Sequence, residues 1–262
     1  MTAAKFASAS FALRQFYGLA RSTLVYRANL VKLRRAHRFY RQFAGSGDLC
    51  FDIGAHLGDR TAHFLKLGAR VVAVEPQPLL MAVLRRRFGH DPRVTLIEAG
   101  LGAKPGEAVL AIDPMNPTLA TLSPDFIRAA SASRGFRGVR WQKQIPVQVT
   151  TLDALIAAHG VPRFCKIDVE GYEDAVLDGL SRPLPSLSLE YLPAALDPAL
   201  IAIARLDRLG AYRYNHSPGE SMRLAEPRWL GAAEMAAALK ALAPEAGAGD
   251  VYALLDAPPT SR

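Results

Sequence analysis

No acidic side chain precedes Asp48, although nine basic ones do: Lys5, Arg14, Arg21, Arg27, Lys32, Arg34, Arg35, Arg38 and Arg41. Setting those nine aside leaves 23 of the 32 lysines and arginines against 24 aspartates and glutamates. The pI near 9.7 therefore belongs to the arm, and the rest of the chain is close to neutral. Without a second basic patch, nucleic-acid binding is not expected. Long apolar runs are also missing, with a mean hydropathy of +0.08, so no bilayer-spanning segment is expected. Cysteine is scarce: Cys50 and Cys165 lie in strand-like runs without CxxC or Cys/His spacing. That excludes a disulfide framework and a zinc ribbon, and fits buried thiols in a reducing, cytoplasmic compartment. His63, His90, His159 and His216 lack ligand spacing, and no carboxylate/asparagine set stands out, so no metal is expected.

The acid-free arm, residues 1–47, has three readings. Arg-rich and Ser-containing, it has the composition of an organellar transit peptide. It also suits peripheral contact with an acidic membrane or partner. Third, Tyr26, Leu30, Leu33, His37 and Tyr40 recur at spacings of 4, 3, 4 and 3, a helical stripe suited to docking on the main domain. The docked helix is favoured, because the arm runs straight into the first strand of the domain.

After the 45–48 hinge, strand-like and helix-like stretches alternate, the pattern of a parallel sheet covered on both faces. Strands are expected at 49–53, 71–75, 94–98, 164–168 and 187–190. Helices are expected at 59–67, 78–88, 152–159, 172–180 and 198–210, and later strands at 211–214 and 251–255. Residues 102–148 break the rhythm with short strands at 109–112, 119–122 and 145–149. An insertion of this kind suits a substrate cover. The expected organisation is an arm at 1–47, an α/β domain at 48–257 and a frayed tail at 258–262.

The richest segment is LCFDIGAHLGDRTAHFLKLGARVVAVEPQP, beginning at Leu49. It reads as strand, glycine turn, helix and a second strand ending on Glu75. A carboxylate at a strand tip can accept hydrogen bonds from both hydroxyls of a ribose, and Gly54 and Gly58 let the backbone approach a ligand. A dinucleotide site needs G-x-G-x-x-G, whose close glycines bring a helix N-terminus up to a pyrophosphate. Here the turn is Gly54-Ala55-His56-Leu57-Gly58, so the middle glycine is absent. Asp52 also precedes the turn, where a pyrophosphate is poorly matched. Both features favour S-adenosylmethionine, which carries an ammonium, a sulfonium and a ribose but no phosphate.

FDIGAHLGDRT followed by VVAVEPQP resembles the first two motifs of class I methyltransferases. KIDVEGYEDAVLDG, from Lys166, resembles the signature of the FkbM family, and IEAGLG and LSLEY fit the same family. The resemblance implies a doubly wound, mostly parallel, Rossmann-like sheet of seven strands with the last one antiparallel, here with an N-terminal helical extension. It implies S-adenosylmethionine-dependent O-methylation of a small-molecule or glycan acceptor. By the same resemblance, Asp52, Gly54 and Gly58 would lie under the methionine part and Glu75 would hold the ribose, flanked by Pro76 and Gln77. Glu98, Ala99 and Gly100 would meet the adenine. His56 stands where many relatives carry asparagine.

Methyl transfer to a hydroxyl is an in-line displacement, so the enzyme aligns the acceptor and removes its proton. Lys166, Asp168 and Glu170 alternate along one strand end and so can share a side. Asp168 is expected near the methionine group or acceptor and Glu170 as positioning group or base. Lys166 would keep the carboxylates ionised. His56 is a second candidate base, and Glu190 is placed to help line the acceptor site. The alternative for the Lys–carboxylate run is an internal network that secures the strand end. Arg128, Arg134, Arg137 and Arg140 hint at an acidic acceptor or form a solvated loop. A non-catalytic module on the same scaffold and an NAD-dependent oxidoreductase are the competing functions. The intact acids weigh against the first, and the missing glycine against the second.

Overall fold

The computed structural model describes residues 30–132 and 136–256. Seven strands form one sheet: β1 (Leu49–Ile53), β2 (Arg70–Val74), β3 (Val94–Ile97), β8 (Phe164–Ile167), β9 (Ser186–Tyr191), β10 (Tyr212–Pro218) and β11 (Gly249–Leu255). Their order is β10-β11-β9-β8-β1-β2-β3. The five central and leading strands are parallel, and β11 runs antiparallel between β9 and β10. This is the mostly parallel, Rossmann-like sheet that the motifs imply. Because β1 has β2 on one side and β8 on the other, the chain direction across the sheet reverses at β1. The crevice beyond the carboxyl ends of β1 and β8 is where such sheets bind ligands.

Period-two burial distributes the side chains. Phe51, Ile53, Val72, Val74, Cys165, Ile167, Leu187 and Leu189 face one layer. That layer holds α5 (Leu152–His159), α6 (Glu173–Asp178), α7 (Asp197–Leu209) and α8 (Ala232–Lys240). Cys50, Val71, Ala73 and Phe164 face the other, with α1 (Leu30–Tyr40), α2 (Asp59–Lys66) and α3 (Pro78–Phe88). Thr151 caps α5 by accepting from the Ala154 amide at 3.1 Å, which satisfies one orphan donor of the first turn.

The last turn of α1 and the residues after it dock on the sheet. Phe43 stacks on Phe164 and on Tyr252, each at 5.0 Å between centroids, and Phe39 meets Tyr252 edge-on at 5.0 Å. Arg34, Arg35, Arg38 and Arg41 stay outside. The described docking face is Ala36, Phe39, Tyr40, Phe43 and Ala44; of the expected stripe, Tyr40 is buried in it, and the side chains of Leu30 and Leu33 lie outside the described residues. His37 is half-buried. Tyr26, the rest of the arm before Leu30 and the tail at 258–262 lie outside the described residues.

Residues 102–148 largely build a separate small sheet of order β4-β7-β5-β6, with β4 (Gly100–Leu101), β5 (Gly106–Asp113), β6 (Asn116–Thr121) and β7 (Lys143–Thr150). A helix inside the expected loop, α4 (Pro124–Ala132), follows β6. Two bonds pin this unit to the main sheet. The Gln77 side-chain amide nitrogen donates to the Pro117 carbonyl at 2.9 Å, and the Thr121 hydroxyl to the Glu170 carbonyl at 2.7 Å.

His63 on α2 is buried beneath α1. Burial first, then the Arg60 charge, push its imidazole down to about 4 from 6.5, while Asp59 and Glu220 act in the opposite direction. The unfolded chain takes up a proton that the folded state excludes, so stability is lost as pH falls from about 6.5 toward about 4. His63→Leu is expected to remove about 3 kcal/mol of that acid sensitivity. Urea unfolding of both proteins near neutral pH and near pH ~4 measures it. Equal losses in the two proteins would show that another group is responsible.

Candidate cofactor and acceptor site

The turn after β1 is shaped by its glycines. Gly54 has φ +75°, and a Cβ there would lie 1.8 Å from the Asp168 carbonyl oxygen, so the β1 turn and the end of β8 touch backbone to backbone. The Gly54 and Ala55 amides both donate to the Val74 carbonyl at 2.9 Å. Gly58, at φ +79°, admits Phe88 and Leu84 of α3, whose atoms lie 2.4 and 2.6 Å from where its Cβ would stand.

Glu75, just past β2, is oriented without any ligand. Its Oε2 accepts from the His56 amide and its Oε1 from the Gln77 amide, each at 2.9 Å. Burial raises its pKa, and His56 and the two amides oppose that rise. Four acceptor positions on a carboxylate leave it room for further donors. Asp52 is buried beneath the turn, accepts from the Thr61 hydroxyl at 2.5 Å, and sits opposite Lys166 across the β1–β8 ladder. Burial raises its pKa as well, against Thr61, Arg60 and Lys166.

Among the described residues, three hollows run along the strand ends. The first is lined by Gly54, His56, Glu75, Pro76, Ala99, Gly100, Asp168 and Tyr172, with an apolar wall of Leu101, Leu110, Ala120 and Leu122. The second meets it at Gly54, His56 and Asp168 and adds Asp59, Arg60, Thr118 and Glu220. The third lies beyond the 169–171 loop, between Phe126 of α4 and Pro198 of α7, and includes Glu173 and Glu190. The insertion therefore contributes walls on both sides of the crevice.

Lys166 is buried, 2.8 Å from Asp250 and 3.2 Å from Asp168. Tyr252 donates to the second Asp250 oxygen at 3.2 Å. Burial raises the Asp168 carboxyl, but Lys166, His56 and Arg60 outweigh it and hold the group below the ordinary range. Glu170 and Glu190 behave oppositely: burial first, then neighbouring carboxylates, lift both well above it. Oxygens of Asp168, Glu170 and Glu190 lie within 4.8 Å of one another, the set among the described residues that could hold a metal ion. Glu170 takes a left-handed φ of +54° next to Gly171 at +80°, a conformation costly for a non-glycine residue. Glu173 secures this loop, its Oε1 accepting from the Val169 and Gly171 amides at 3.2 and 3.4 Å.

Gly54, His56, Glu75, Pro76, Ala99, Gly100 and Asp168 thus line one crevice. Other expected site residues lie behind it. Asp52 and Gly58 sit under the turn, Gln77 holds the insertion, and Glu98 pairs with Arg85 at 2.6 Å on the outer surface. Arg128 pairs with Asp125 in solvent, Arg137 and Arg140 are exposed, and Arg134 lies outside the described residues. Sequence reasoning missed Asp250, Arg60 and Glu220. The donor set fits a nucleoside without phosphate: a strand-end carboxylate, and an apolar wall with no lysine or arginine among the described lining of the first hollow.

The FkbM methyltransferase domain matches residues 52–199. The chain belongs to the FkbM methyltransferase family. It is accordingly an S-adenosylmethionine-dependent methyltransferase. Among solved structures, a TehB-like SAM-dependent methyltransferase from Corynebacterium glutamicum shares the fold, with a TM-score of 0.50, 11% identity, and coverage of 94% of this chain and 99% of that one. An O-methyltransferase from Bacillus cereus in complex with SAH aligns with a TM-score of 0.44 and 12% identity, over 94% and 91% of the two chains. None of the curated proteins compared matches the sequence. Among the described residues of this FkbM protein, no helix is long and apolar enough to cross a membrane.

Proposed function

We propose that this FkbM methyltransferase methylates a hydroxyl of a sugar, glycan or secondary metabolite, with Glu170 as the proton acceptor. The observation that carries the reading is the placement of Glu170, a buried carboxyl held at left-handed φ beside Asp168 and Glu190. Glu75 would take the ribose hydroxyls, with Gly54, His56 and Pro76 around it and Ala99 and Gly100 toward the base. S-adenosylmethionine supplies an activated methyl group and a neutral thioether leaving group. The chain's own task is to align the acceptor oxygen and receive its proton as the oxygen–carbon bond forms and the carbon–sulfur bond breaks. A carboxylate whose pKa is raised toward the operating pH is the better base for that step, and burial raises Glu170 in this direction. Asp168, kept ionised by Lys166, would position the acceptor or the cofactor ammonium.

Glu170→Gln is expected to lower turnover by about 100-fold or more while S-adenosylhomocysteine affinity stays within about 2-fold. Incubation with radiolabelled S-adenosylmethionine and fractionated source extract identifies the acceptor and provides the assay. Full activity of Glu170→Gln on that acceptor would remove Glu170 from the role. For the arm, the exposed Arg34, Arg35, Arg38 and Arg41 support peripheral contact with an acidic partner, which co-sedimentation with anionic vesicles tests.

A further inference from the structure

Arg60 is the second residue of α2 and lines the second hollow. It is held on two sides. It lies 5.9 Å from the centroid of the Tyr40 ring, and its side chain is 17% exposed. Its ion-pair partner is Glu220, at 2.6 Å, whose own side chain is 45% exposed. Glu220 sits on a turn fixed by its neighbours: the Gly219 amide donates to the Ala248 carbonyl at 2.8 Å, and Met222 is buried. The turn need not move for Glu220 to leave Arg60; a rotamer change into solvent suffices. The other acids of this hollow are committed elsewhere, Asp168 to Lys166 at 3.2 Å and Asp59 to Arg87 at 3.1 Å. Arg60 is therefore a fixed cation whose partner is the mobile member.

We infer that Arg60 is a receptor for a ligand carboxylate and that Glu220 is its built-in competitor. A nucleoside bearing an α-amino-acid end would enter by ion-pair exchange, its carboxylate taking the place of Glu220. This rests on the reading of the first hollow as the nucleoside site. The two hollows join at Gly54, His56 and Asp168, so a ligand seated against Glu75 continues toward Arg60. A guanidinium offers bidentate geometry to a carboxylate, and a half-exposed competing pair contributes little by itself. The exchange thus favours the ligand without an obligatory closing motion.

The test is calorimetric titration at low salt with two probes. One is S-adenosylhomocysteine; the other is 5′-methylthioadenosine, the same nucleoside thioether without the amino-acid end. The wild type is expected to bind S-adenosylhomocysteine about 10- to 100-fold more tightly. Arg60→Gln should bring the two affinities together by weakening only S-adenosylhomocysteine. Glu220→Gln, on an exposed side chain, should tighten S-adenosylhomocysteine by about 2- to 5-fold and leave 5′-methylthioadenosine unchanged. Equal wild-type affinity for both probes, or a Glu220→Gln protein that binds S-adenosylhomocysteine no better than wild type, overturns the inference. A wild type that binds neither probe overturns the nucleoside-site reading beneath it.

Discussion

Glu75→Ala is expected to weaken S-adenosylhomocysteine binding by about 100-fold or more, the loss of two charge-assisted hydrogen bonds of about 1.5–3 kcal/mol each. The Glu75 carboxylate is fixed by the His56 and Gln77 amides, so its remaining acceptor positions face the first hollow already oriented. Alanine removes the acceptors proposed for the ribose and also strands two amides, so part of the loss reflects a looser turn. Glu75→Gln separates the contributions: its single carbonyl keeps one amide and one hydroxyl, and its affinity should fall between the other two proteins. The ionised form is the acceptor, and burial raises the Glu75 pKa. Binding should therefore weaken on acidification earlier than an exposed glutamate would predict. An alanine variant within about 3-fold of wild type would remove Glu75 from the ribose.

Much of this arrangement is legible in the sequence because it is local. The Gly54–Gly58 turn, Glu75 at the tip of its strand and the KIDVEG loop each fall within a few residues of the strand that carries them. What escaped is carried by pairs far apart in the chain. Glu220 meets Arg60 across 160 residues and Asp250 meets Lys166 across 84; no spacing rule reaches that far. Glu190, expected at the tip of the next strand, reaches Asp168 and Glu170 because β9 lies beside β8. The strand expected at 211–214 extends to Pro218 through Asn215, His216 and Ser217, polar residues that read as loop. Asn215 remains in the sheet because its amide donates to the Glu226 and Arg228 carbonyls while its oxygen accepts from the His216 and Glu226 amides. Helix α8, AAEMAAALK, lacks a strong apolar stripe. Its start is set by Glu234, which accepts from the Gly231 amide at 3.0 Å.

Lys166→Met should be the most destabilising single change at the site, costing about 3–5 kcal/mol near neutral pH. The methionine fills a similar volume, so the loss is electrostatic: the half-buried Asp168 and the buried Asp250 keep their positions without their shared cation. Attraction to Lys166 holds the Asp168 carboxyl low against burial. That contribution is present above the unfolded carboxylate range and is lost as pH falls through the folded value. In the variant only His56 and Arg60 still oppose burial, so the Asp168 pKa moves up and the carboxyl can take a proton and shed its penalty on acidification. The gap between wild type and variant is therefore expected to be widest near neutral pH and to narrow toward pH ~4, read from urea midpoints at constant m. A gap that stayed constant with pH would assign the loss to packing instead. Asp250→Asn sharpens the result, because it removes one acid while leaving Lys166 its 3.2 Å contact with Asp168. If the lysine serves mainly to keep Asp168 ionised beside Glu170, that variant should retain turnover and Lys166→Met should lose it. A network that only secures the strand end predicts instead that turnover follows stability in both.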